Sequence, residues 1–103
     1  MTAILFSFFV GTSLNLELVN AQNSQVEERN ALIIQGASLI DRGMPNEAIL
    51  MFDEILSEDP KHVTALIGKG MALKHLQKFE EARNFLDTAL KLEPDNVYAK
   101  VER

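Results

Sequence analysis

The chain is 103 residues long, enough for one small domain, and its 47% hydrophobic and 24% charged residues are ordinary for a globular protein. A formal net charge of −5 argues against nucleic acid, whose binders need a basic patch to displace counterions. There is no Cys, which excludes disulfides and thiolate metal sites.

The segment Met1 to Ala21 differs from the rest. Ala3 to Val10 is apolar but for Ser7, and Glu17 is the only charged side chain before Glu27. Three readings stand side by side. As a secretory signal, the segment has an apolar core of suitable length, a break at Gly11-Thr-Ser13 and small residues at Val19-Asn-Ala21 for a peptidase, but no Lys or Arg ahead of the core. As a membrane anchor it is short and carries Asn15, Glu17 and Asn20. As a structural helix it would cover an open face of the remaining chain. The first two imply export or membrane association, with membrane contact only through residues 1–21. The third is compatible with the cytoplasm.

Ser24-Gln-Val-Glu27 fits a capping box, which predicts a helix starting there and running to about Arg42. Leu32, Ile33, Gly36, Leu39 and Ile40 follow the three-and-four spacing of one buried stripe. Gly43 supplies a left-handed turn, and Pro45 pre-sets the next helix. Ala48, Ile49, Phe52, Ile55 and Leu56 form a second stripe, which Asp59-Pro60 stops. Ala65, Leu66, Gly70 and Leu73 line a third helix, and Gln77-Lys78 turns without Gly. Phe79, Ala82, Leu86, Ala89 and Leu90 line a fourth, ended by Glu93-Pro94-Asp95-Asn96. Residues 97–103 begin a fifth, with Tyr98 and Val101 expected to contact the fourth.

The pattern is written twice. Gly36, Leu39, Ala48, Leu56 and Pro60 recur as Gly70, Leu73, Ala82, Leu90 and Pro94 at one constant offset (70 − 36 = 34, 94 − 60 = 34). A fixed period of this length is the mark of stacked helical hairpins. Gly36 and Gly70 are expected to let each hairpin close tightly, with Ala48 and Ala82 facing them. A unit of this period with Leu-x3-Gly-x2-Leu, then Glu-Ala-x3-Phe or Leu, then Leu-x3-Pro resembles the tetratricopeptide repeat (TPR). Leu32 and Leu66 stand where Trp is common, Gln35 and Lys69 where Leu is common, and Leu39 and Leu73 at the usual Tyr site.

The resemblance implies an all-α fold: two hairpins (29–62 and 63–96) in a right-handed α-solenoid, a short C-terminal cap (97–103) and the extra apolar N-terminal segment. Its packing residues would be Leu32, Gly36, Leu39, Ala48, Phe52, Leu56 and Pro60, then Leu66, Gly70, Leu73, Ala82, Leu86, Leu90 and Pro94. It also implies a concave groove formed by the first helix of each hairpin. The groove positions are Asn30, Ile33, Ile34, Ala37, Ile40 and Asp41, then Thr64, Ile67, Gly68, Met71, Lys74 and His75. Some members clamp a terminal carboxylate with Lys and Asn. The matching places here hold Ile33, Ala37, Ile67 and Met71, so that ligand class is disfavoured.

No catalytic constellation is apparent. His62 and His75 lack metal-ligand spacing, Ser24 and Ser38 lack triad partners, and Gly68 and Gly70 lie within a predicted helix, not a phosphate loop. No cofactor is expected, and the chain reads as a non-enzyme. Two readings of function remain. One is an interaction module that binds a protein or peptide through its apolar groove. The other is a self-assembling or accessory subunit whose groove is filled by its own N-terminus or a second chain, since two repeats are few for a stable stack. Residues 31–62 carry a net −4 and residues 63–103 a net +1, an asymmetry that serves head-to-tail contact or solubility.

Overall fold

The computed structural model describes residues 2–102, with side chains from residue 21 onward. Those residues are all-α: α1 (Thr2–Asp41), α2 (Pro45–Glu58), α3 (Val63–His75), α4 (Phe79–Leu92) and α5 (Val97–Glu102). The chain divides into two compact units, Met1–Asn30 and Ala31–Arg103. The three readings of residues 1–21 turn on side chains outside the described residues. Among the described residues, no helix is long and apolar enough to cross a membrane.

Ser24 does not start a helix; it lies inside α1, so the expected capping box is not used. Residues 21–35 contain neither Pro nor Gly, and the strong helix formers Ala21, Gln22, Gln25, Glu27, Glu28 and Arg29 surround Asn23 and Ser24. A cap matters only where backbone donors lack partners, and an uninterrupted helix supplies them.

In the second unit α3 is the central element. It packs against α2, α4 and α5, and more than half of it is buried: Ala65, Leu66, Ile67, Gly68, Gly70, Ala72 and Leu73. One core cluster joins Ile40 of α1, Ala48, Phe52 and Ile55 of α2, and Ala65 and Ala72 of α3. The other joins Leu66 and Ile67 of α3, Leu86 and Ala89 of α4, and Ala99 of α5. Leu56 and Met71 touch both clusters, so the two hairpins share one apolar interior.

The closest contacts of the two hairpin glycines are with the residue one turn after each facing alanine. A Cβ on Gly36 would meet the Phe52 ring at 2.6 Å, and one on Gly70 would meet Leu86 Cγ at 2.8 Å and the Ala82 carbonyl at 3.4 Å. Ala48 and Ala82 are fully buried. Phe52 and Leu86 are themselves one period apart, so the contact repeats. Gly68 adds a second approach: its Cβ would also run into the Phe52 ring. The ring therefore lies between two glycines on different helices, and it is 1% exposed. Pro60 and Pro94 are both exposed, and neither belongs to a core cluster; they redirect the chain and do not fill the core. Phe79 is also exposed, at 60%, and leaves Ala82, Leu86 and Ala89 as the buried stripe of α4.

Both hairpin turns use the same hydrogen bonds. Gly43 donates to the Ile40 carbonyl and Met44 to that of Leu39. Gln77 donates to Lys74 and Lys78 to Leu73. This is the Schellman arrangement, and it needs a left-handed residue. Gly43 takes φ of +76° at little cost, but Gln77 takes +62° with a side chain attached. Caps repeat as well. The His62 Nδ1 accepts from the Ala65 N–H at 3.3 Å, and the Asn96 Oδ1 accepts from the Ala99 N–H at 3.1 Å. Donor and acceptor are each displaced by one full period, so α5 begins in the register of a third first helix.

Two outcomes follow. Gly68→Ala overpacks a ring that is hemmed in on both sides, and chemical denaturation should show a loss of about 1–3 kcal/mol; no loss would mean the ring has room. Gln77→Gly relieves the strained turn and should raise stability by about 0.5–1 kcal/mol in the same assay.

Candidate functional site

Between α1, α3 and α5 the second unit holds a cleft of about 460 Å³. Ile33, Ala37, Ile40 and Asp41 line it from α1, Thr64, Ile67, Gly68 and Met71 from α3, and Asn96 and Tyr98 from the start of α5. Phe52 of α2 is also in its wall. The side chains arrive there by helical spacing: 33, 37, 40 and 41 share one face of α1, and 64, 67, 68 and 71 one face of α3. Gly68 presents no side chain, so the Phe52 ring behind it reaches the cavity.

Eight of the sequence-derived groove positions converge here: Ile33, Ala37, Ile40, Asp41, Thr64, Ile67, Gly68 and Met71. They are not equally available. Ile40 and Ile67 are 7% exposed and serve the core as well as the cavity. Ile33 and Met71 are half-buried against the first core cluster, and Ala37, Asp41 and Thr64 are exposed. Ile34 is 69% exposed but does not line the cleft, because it sits one residue off the lining face. Asn30 falls in the first unit. Lys74 and His75 line a separate shallow depression with Met71 and Glu102.

Three lining residues lie outside the groove positions read from the sequence: Phe52, Asn96 and Tyr98. Tyr98 and Val101 do not cover α4 as expected; they are 76% and 73% exposed. Ala99 is buried instead, because it alone of that turn points into the second cluster. The signal for this is present in the repeat, since Ala99 stands one period after Ala65 and Tyr98 one period after the groove residue Thr64.

Polar contacts around the cleft are mostly taken up within the chain. Asn96 Nδ2 donates to Glu93 Oε2 at 2.9 Å while its Oδ1 caps α5. Lys74 Nζ pairs with Glu102 Oε2 at 3.0 Å and ties α5 to α3. Lys69 pairs with Asp53 of α2 and stands 4.5 Å from the centre of the Phe85 ring of α4, so one cation joins three helices. Among the described residues no group of three or more His, Cys, Asp or Glu is placed to hold a metal ion.

The family model for the tetratricopeptide repeat matches residues 39–102. The chain belongs to the tetratricopeptide repeat family. The match starts near the end of α1 and runs through α5, so it covers the helices that build the cleft from α3 and α5 and the last turn of α1. No curated protein matches the chain. TPR domains are generally protein-interaction modules and typically non-catalytic.

The position of Tyr98 depends on the cap of α5. Asn96→Ala removes the acceptor of the Ala99 N–H and should cost about 1 kcal/mol. Amide exchange at Ala99 and Lys100 should quicken while exchange in α3 stays slow. Unchanged exchange at Ala99 would mean the cap does not hold this helix.

Proposed function

We propose that this TPR chain binds an apolar segment of another protein in the cleft between α1, α3 and α5. The observation that carries the reading is the cleft itself. It is a preformed concavity of about 460 Å³ whose wall is largely aliphatic and aromatic, with neutral hydroxyls at Thr64 and Tyr98. That size is within the range of about 300–1,000 Å³ usual for ligand sites. Burying apolar side chains there removes both surfaces from water, which is the main source of affinity in such grooves. No lining residue is a lysine or arginine, so the cleft has no cation with which to hold a terminal carboxylate.

Tyr98 is the only tyrosine and the chain has no tryptophan, so its emission reports directly on the mouth of the cleft. Titrating the full chain with a Leu-rich amphipathic peptide that lacks Tyr and Trp should change that emission saturably. Ala37→Trp fills the cleft from an exposed position and should abolish binding, read by anisotropy of the labelled peptide, while the melting temperature stays within a few degrees. Undiminished peptide binding to the Trp variant would place the site elsewhere.

A further inference from the structure

We infer that the segment received by the cleft is cationic as well as apolar, and that Asp41 selects it. This rests on the cleft being the binding site and adds the charge of its occupant.

Asp41 is the only formally charged residue lining the cleft. It is exposed, at the end of α1, and its carboxylate has no ion pair or hydrogen bond among the described residues. No cation lines the cleft beside it: Arg42, the next residue, is exposed and not part of the lining. Lys69 is committed to Asp53 and the Phe85 ring, and Lys74 to Glu102. The amide of Asn96 is used at both ends, so it offers a partner little. What remains for an incoming segment is a carboxylate beside aliphatic walls, with the neutral hydroxyls of Thr64 and Tyr98.

A charge beside an apolar surface acts in a medium less screening than water, which strengthens it for an opposite charge and against a like one. An acidic segment would bring its carboxylates toward Asp41 with no lysine or arginine in the cleft lining to offset them. A segment with Leu or Ile facing the cavity and Lys or Arg beside them satisfies both features at once. The chain as a whole pushes the same way: its net charge is −5, and the stretch 31–62 that includes Asp41 carries −4. The long-range field thus favours cationic partners on approach, and the local carboxylate discriminates on contact.

The experiment separates these two contributions. Two labelled amphipathic peptides of Leu and Ala, equal in length, are used, one with Lys on its polar face and one with Glu. Anisotropy is measured at about physiological salt, where charges more than ~8 Å apart are largely screened. The Lys peptide is expected to bind at least tenfold tighter than the Glu peptide. Asp41→Asn should weaken the Lys peptide about three- to fivefold, the size of one partly screened ion pair, and narrow the ratio. Glu80→Gln changes the net charge equally on α4, away from the cleft, and should leave the ratio unchanged. Equal narrowing by both variants would overturn the role of Asp41, and equal binding of the two peptides by the native chain would overturn the charge preference. In either case, loss of binding on Ala37→Trp would still uphold the cleft as the site. If neither peptide alters Tyr98 emission and Ala37→Trp changes nothing, the cleft itself fails as the site and the charge preference fails with it.

Discussion

One aromatic ring sets the spacing of the second unit. Phe52 extends from α2 toward Gly36 on α1 and Gly68 on α3, and neither position has room for a methyl group. A ring this close to the backbones of two other helices leaves little slack, so the three helices are closely spaced around it. The same device recurs in weaker form where Leu86 meets Gly70. Gly68 and Phe52 also both line the cleft, so the contact that closes the core forms part of the cleft wall.

Polar groups of this unit connect its helices. Lys69 reaches one neighbour through an ion pair and another through an aromatic face. Lys74 and Glu102 fasten the short α5, which the single small buried residue Ala99 would hold only lightly. Such exposed or half-exposed pairs contribute little each, typically about 1 kcal/mol or less, so the stability of the unit rests on its apolar interior. Both lysines lie outside the cleft lining, where Asp41 is the one formally charged residue.

Much of the candidate site is legible in the residues, and the exceptions have causes. Ile33, Ala37, Ile40, Asp41, Thr64, Ile67, Gly68 and Met71 converge because the three-and-four spacing of a helix decides which side chains share a face. Ile34 reads as part of the same face and lies just outside it, since hydropathy does not resolve a rotation of one residue. Phe52 reads as core but not as cleft wall, because that role depends on its close contact with Gly68, a lining residue on another helix. Tyr98 reads as covered and is not; a helix as short as α5 carries too little periodicity to show which side turns inward.

By itself the sequence determined the helical hairpins, their repeat period, the family, and the places where the chain turns. Those features are local: a stripe, a Gly or Pro at a boundary, a pattern that returns. The tertiary structure decided that the Phe52 ring makes the closest approach to Gly36, that Gln77 carries the strain Gly43 avoids, and that Ala99 anchors α5 while Tyr98 stays out. It also decided which charges are engaged and which is left at the cleft. These outcomes depend on residues distant in the chain competing for one volume and one set of partners, and a linear pattern does not specify how that competition ends.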